Sequence, residues 1–168
     1  MFLPWESIYN GTSTWSKYKP RTNRYCSYRN QEINIFVATS AHELGLLGLD
    51  DFLERRPSLV QESHVWLHFG ADIGMETRFS GTDHELQSQT STVLNASGVK
   101  PATPAHVGDT VGAESQVVAR AGGRVAAIVG HSPLFHLEAD RWPEAIDPEA
   151  ISKVSNAFTN LALQISGE

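Results

Sequence analysis

Acid–base and metal-binding side chains follow three predicted strands of this 168-residue chain, each at the point where its strand ends. The strands are predicted at 33–39, 64–69 and 124–129, because each is a short run dominated by apolar residues. The side chains that follow them are His42, Glu43, Asp72, His131 and His136. In an open α/β sheet, ligands bind beyond the carboxyl ends of the strands. The sequence therefore predicts that these side chains converge at one edge of a sheet.

The zincin motif is excluded at the first of these positions. His42-Glu43 opens the pattern H-E-x-x-H, which places two histidines on one helix face, but Leu46 occupies the second histidine position. Gly45 and Gly48 also weaken a helix at this place.

Helices are predicted between the strands from their start and stop signals. Pro57 ends the first, the capping box Thr82-Asp83-His84-Glu85 opens the second, and Asp147-Pro148-Glu149 opens the last. The predicted helices are 46–56, 82–98, 113–121 and 147 onwards. Alternating strands and helices predict an α/β domain with a mainly parallel sheet flanked by helices.

Composition separates an irregular N-terminal arm, residues 1–31, from the α/β domain of residues 32–168. The arm holds five basic side chains, one acidic side chain and all four tyrosines. Such an arm could stack on and neutralise single-stranded nucleic acid. We expect instead that its aromatics cover the neighbouring domain, because no nucleic-acid motif accompanies them. The whole chain has a net charge of -6, which does not favour a polyanionic partner.

Targeting signals are not evident in the sequence. No apolar run approaches the ~20 residues that span a bilayer, so no membrane contact is expected. The first residues lack the pattern of a signal peptide, and the single cysteine, Cys26, suits a reducing compartment. A cytoplasmic location is the resulting expectation.

Two segments, 36–48 and 135–149, resemble the zinc aminopeptidase family that includes bacterial leucyl aminopeptidases, glutaminyl cyclases and the transferrin receptor ectodomain. The first segment is a predicted strand, then His42-Glu43 at the family's acid pair, then x-Gly-Leu-x-Gly before a helix. The second contains aromatic-His-x-x-x-Asp as Phe135, His136 and Asp140. The resemblance covers about 32–168 and implies a zinc-exopeptidase-like sheet whose N-terminal half is incomplete.

The resemblance also implies roles for individual side chains. Three residues would ligate zinc, one would occupy the position of the general base, and two would support them. The zinc ligands are Glu43, Asp72 and His136, the base is His42, and the supporting residues are Asp140 and Glu114. The spacing Asp72-Ile73-Gly74 is one residue shorter than the family's Asp-x-x-Gly, and Glu114 and Ser115 stand where the family has Asp-His.

The family builds a two-zinc centre, and two of its ligands come from upstream of the acid pair. This sequence has no histidine or aspartate before His42. One zinc ion is therefore expected rather than two, in a zinc-dependent peptide hydrolase with impaired or absent activity.

The alternative is a non-catalytic interaction or remnant domain on the same scaffold. Without zinc, the carboxylate of Glu43 would stabilise the N-terminal end of the following helix. His136 would then have a structural role, and Asp140 would pair with Arg141. The expected partners are a peptide substrate and, through an exposed edge strand, a second copy of the chain.

Overall fold

A central antiparallel pair of strands joins the two halves of the sheet in the computed structural model. These strands are β2 (Glu76–Gly81) and β4 (Val125–His131). Strand β1 (Trp66–Phe69) pairs parallel to β4, and β3 (Ala102–Pro104) pairs parallel to β2. The sheet order is therefore β1-β4-β2-β3. The predicted α/β class is confirmed, and the sheet is mixed, with two parallel pairings around one antiparallel pairing.

The structure describes residues 34–73, 76–99 and 102–167. Residues from Ile35 onwards belong to one compact unit. The predicted basic and aromatic arm, residues 1–31, lies outside the described residues. In the described part of the chain, no helix combines the length and the apolar character needed to cross a bilayer.

Among the described residues, five α-helices flank the sheet, and four of them were predicted from sequence. They are α1 (Leu47–Glu54), α2 (Leu59–Glu62), α3 (His84–Ala96), α4 (Ala113–Arg120) and α5 (Pro148–Ser166). The short α2 was not predicted. The start of α5 follows its sequence signal, because the Asp147 carboxylate accepts hydrogen bonds from the Glu149 and Ala150 amides at 2.9 and 3.3 Å.

Apolar side chains cover both faces of the sheet. On one face, Ala126 and Ile128 of β4 pack in a cluster with buried residues of α3 and α5. On the other face, Val125 and Ala127 pack with Val60 of α2 and with a buried residue of α4. Successive residues of a strand point to opposite faces, so β4 contributes to both layers. The result is a sheet between two layers of helices.

The predicted strand 33–39 is not a strand in its described part. Residues 34–40 have no regular secondary structure, and Ile35 and Phe36 are 58% and 96% exposed. An apolar, β-branched run forms a strand only where another strand can pair with it. The edge of β1 is open on one side in the described sheet, but residues 34–40 do not pair with it, so the run stays without strand structure.

The start of α3 differs in detail from the predicted capping box. Asp83 is the N-cap, and its carboxylate accepts a hydrogen bond from the Leu86 amide at 2.9 Å. The Thr82 hydroxyl instead accepts from the Val125 amide at 3.0 Å, and the carboxylate of Glu85 lies 3.3 Å from the Arg124 guanidinium. Arg124 also donates to Asp83 at 2.8 Å, which ties the start of α3 to the start of β4.

Replacing Asp83 by alanine is expected to lower the free energy of unfolding by about 1–2 kcal/mol, because the first turn of α3 loses its cap. The hydrogen bond from Arg124 holds the pKa of Asp83 below its usual value; partial burial opposes this and the Leu86 amide adds to it. The ionised carboxylate therefore stabilises the fold above about pH 4, and this contribution is lost as pH falls through the lower folded-state pKa.

Urea unfolding at neutral pH and about pH 3 measures both effects. Glu54→Ala, at an exposed helix end, is the control and should change stability little. An unchanged stability in Asp83→Ala would contradict this role.

Candidate functional site

The carboxyl ends of β1 and β4 lie side by side, because the two strands are parallel neighbours. The loop after β1 is held against β4 by a 2.8 Å hydrogen bond from the Gly130 amide to the Ala71 carbonyl. A Cβ atom on Gly130 would collide with the backbone carbonyl of Asp72, so only glycine fits here. This close approach fixes Asp72, in a left-handed conformation with φ 54°, at the end of the sheet.

Asp72 lies in an environment that opposes its ionisation. Burial is the main cause that raises the pKa of its carboxyl, and the negative charge of Asp140 adds to it. The nearby imidazoles of His131 and His136 act in the opposite direction. Three of the predicted strand-end residues, Asp72, His131 and His136, are thus electrostatic neighbours, together with Asp140.

Glu43 and His136 form a pair between the two segments that carry the family resemblance. The Glu43 carboxylate oxygen Oε1 lies 3.2 Å from Nε2 of His136, and both side chains are largely exposed. His136 has a left-handed backbone with φ 63°, and its ring stacks on Phe135 with the ring centroids 4.0 Å apart. The turn and the stacking together aim the imidazole at the carboxylate.

His42 and Glu114 form a second pair, with His42 Nδ1 2.6 Å from Glu114 Oε1. His42 lies in a short 3-10 helix, His42–Leu44, and Glu114 lies in the first turn of α4. The hydrogen bond to Glu114 is the main cause that raises the pKa of His42. Burial acts to raise the pKa of Glu114, but the bond with His42 and the other favourable interactions outweigh it and leave that pKa lowered.

His68 of β1 is partly buried, and the charges of both members of this second pair act on it. Burial is the main cause that lowers the pKa of His68, while the charges of Glu114 and His42 act on it in opposite directions. Gly112 permits this packing, since a Cβ atom there would lie 2.6 Å from His68 Nε2. The signal in the sequence was a histidine inside an otherwise apolar strand.

The donor spacing at Glu43 and His136 suits a metal ion only in part. Two ligands of a tetrahedral zinc at 2.0–2.2 Å are separated by roughly 3.3–3.5 Å. The observed 3.2 Å between Glu43 and His136 is close to that spacing. Within residues 34–73, 76–99 and 102–167, however, no group of three His, Cys, Asp or Glu side chains is placed to hold a metal ion. Asp72 is therefore near His136 but does not complete a three-donor site with the pair.

The His42–Glu114 pair can perform acid–base chemistry by itself. When neutral His42 carries its proton on Nδ1, Glu114 accepts that proton in a hydrogen bond, and the Nε2 lone pair is available to a proton donor. The half-exposed imidazole is accessible, while the Glu114 side chain is only 17% exposed and holds its position. This arrangement is that of a general base with a carboxylate that orients it.

No protein-family model, curated protein or solved structure matches the chain. The resemblance of segments 36–48 and 135–149 to zinc aminopeptidases therefore stays a prediction.

Glu114→Gln is expected to lower the pKa of His42 toward its usual value near 6.5, because the ring loses a negatively charged partner. Since the folded-state pKa is raised, the protonated pair stabilises the fold below about pH 6.5, and this contribution disappears as pH rises through the folded value. NMR titration of the His42 ring measures the shift. Glu138→Gln, which removes an exposed partner of Arg141, is the control and should leave the His42 titration unchanged. The same His42 titration curve in Glu114→Gln would contradict the assignment.

Proposed function

We propose that this chain is a zinc-dependent, aminopeptidase-like peptide hydrolase whose activity is impaired or absent. The approach of Glu43 and His136 to 3.2 Å carries the proposal. The family resemblance gave each of these residues the role of a zinc ligand from a separate segment. Their contact brings those segments together at a spacing close to that of two zinc donors.

Each residue of the site has a role in this proposal. Glu43 and His136 would hold one zinc ion, and Asp72 is the nearest further carboxylate on the β1 side. When bound, the ion would polarise the peptide carbonyl and lower the pKa of its water. His42 would accept a proton at Nε2, and Glu114 would orient His42 and stabilise its charged form.

Impairment follows from the incomplete donor set. A catalytic zinc site normally has three protein ligands and an open position. Among the described residues only two of the proposed donors are in contact, so zinc should bind more weakly than at a complete site. The exposure of both side chains also leaves water free to compete for the ion.

An interaction domain on the same scaffold is the second candidate. Large apolar side chains are exposed around the His42–Glu43 segment, with Phe36, Leu44 and Leu47 at 96%, 70% and 56%. Exposed apolar patches mark binding surfaces more often than isolated apolar residues do. This surface would remain available whether or not a metal is bound.

Zinc content of the purified chain at equilibrium dialysis against an excess of free zinc tests the proposal. We expect about one equivalent in the parent chain and a loss of most of it in Glu43→Ala and in His136→Ala, because each change removes a donor. Glu138→Ala is the control, since this exposed carboxylate lies in the same segment as His136 and pairs with Arg141. His42→Ala should retain zinc but lower any hydrolysis of a leucine anilide by about 10²-fold or more.

Two results would reject the zinc hydrolase. One is a zinc content below about a tenth of an equivalent in the parent chain, where a functional site should be nearly filled. The other is anilide hydrolysis that survives a chelator. If the chain has neither zinc nor turnover, the interaction domain becomes the better proposal, and Phe36→Ser and Leu44→Ser test its surface.

A further inference from the structure

An open groove of about 650 Å³ lies between the β3 side of the sheet and helix α4. Its walls come from β2, β3, the loop 105–111 and α4. The polar residues that line it are Arg78, Thr103, Asp109, Thr110, Gln116 and Arg120. None of them belongs to the site proposed for zinc, so the groove needs its own explanation.

The loop that forms one wall of the groove is anchored at several points to the interior of the domain. The Ala105 amide donates to the Phe79 carbonyl at 2.9 Å, and the Gln87 side chain donates to the Ala105 carbonyl at 2.8 Å. Further along the loop, the Val111 amide donates to the hydroxyl of Ser80, which is fully buried, at 3.0 Å. A wall held in this way is preorganised, so a ligand does not have to order it.

Two arginines in the groove differ from the other described arginines. Most of the others have an ion-pair partner, in the pairs Arg55–Asp51, Arg124–Asp83 and Arg141–Glu138, and Arg56 stacks on Phe52. Within the described residues, Arg78 and Arg120 form no ion pair, and Arg120 donates only to the Gln116 side chain, at 3.3 Å. Arg78 and Arg120 are both exposed, and both line this groove.

The charge of the groove is opposite to that of the whole chain. Arg78 and Arg120 outnumber Asp109, the one acidic residue among its described lining residues, whereas the chain carries a net charge of -6. Two positive side chains in one groove repel each other, and an anion between them would relieve that repulsion. Guanidinium groups also match the planar, two-oxygen edge of carboxylates and phosphates.

We propose that this groove binds a small oxyanion-bearing ligand, a carboxylate or a phosphate, between Arg78 and Arg120. Arg78 approaches from the sheet, where it is in register with Thr103 of β3, and Arg120 approaches from the last turn of α4. The hydroxyl groups of Thr103 and Thr110 lie in the same lining and can donate further hydrogen bonds. Asp109 disfavours anions that approach the loop side of the groove, which directs the ligand to the arginines.

Isothermal titration of the full chain with inorganic phosphate and, separately, with succinate at constant ionic strength tests this site. We expect a dissociation constant on the order of 1 mM for at least one of them. Tighter binding of phosphate would indicate a phosphate ligand, and tighter binding of succinate would indicate a carboxylate ligand. Arg78→Gln and Arg120→Gln should each weaken binding about tenfold, because each removes a charge-assisted hydrogen-bond pair. Arg56→Gln is the matched control and should bind as the parent does.

Backbone NMR separates binding in the groove from binding elsewhere, since the amides of Gly108 and Thr110 should shift on titration. If Arg78→Gln fails to fold, Arg78→Lys replaces it, which keeps the charge but removes the planar fork. The proposal would be overturned if neither anion bound at concentrations up to about 10 mM, which is tenfold above the expected dissociation constant. Unchanged binding in the variant that carries both Arg78→Gln and Arg120→Gln would also overturn it. The chain is stripped of metal with a chelator and then dialysed free of that chelator before the titration, so the outcome is independent of zinc.

Discussion

The antiparallel register between β2 and β4 is the constraint on which the rest of this structure depends. It pairs residues from Glu76 opposite His131 to Gly81 opposite Ala126, and it joins two parallel strand pairs that would otherwise be separate. A shift by one residue would turn every side chain of β2 to the opposite face. Phe79 would then leave the core that α3 and α5 cover, and Arg78 would enter it.

The helices were more predictable than the strands, for a physical reason. Helix ends are fixed by local signals: the Asp147 cap marked the start of α5, and Pro57 placed the end of α1 within two residues of Glu54. Strands need partners that lie far away in the sequence. Strand β2 was missed because Phe79 is its one large apolar side chain. Strand β3 is only three residues long and ends at Pro104. The run 33–39 has the composition of a strand but, in its described part, no partner.

The sequence named the residues of the candidate site as an expectation, but not which of them form pairs. The ends of β1 and β4 indicated Asp72 and His136, whereas His42 and Glu43 were indicated by the run 33–39, which forms no strand in its described part. Which side chains meet is decided by backbone turns. Ala41, with φ 57°, and His136, with φ 63°, adopt left-handed conformations that are uncommon for residues other than glycine. These turns place His42 against Glu114 and Glu43 against His136. The sequence contains no local signal for such conformations at these residues, so composition alone could not give the two pairs.

Helix α4 carries Glu114 in its first turn and Arg120 in its last. Six residues of helix separate the two by about 9 Å along the axis. A helix this short behaves as a rigid body, and its Ser115 and Val118 are buried against the rest of the domain. A tilt of α4 that opened or closed the arginine groove would therefore move the carboxylate that orients His42. One helix of eight residues thus carries a charged side chain of each proposed site, Glu114 at its first turn and Arg120 at its last.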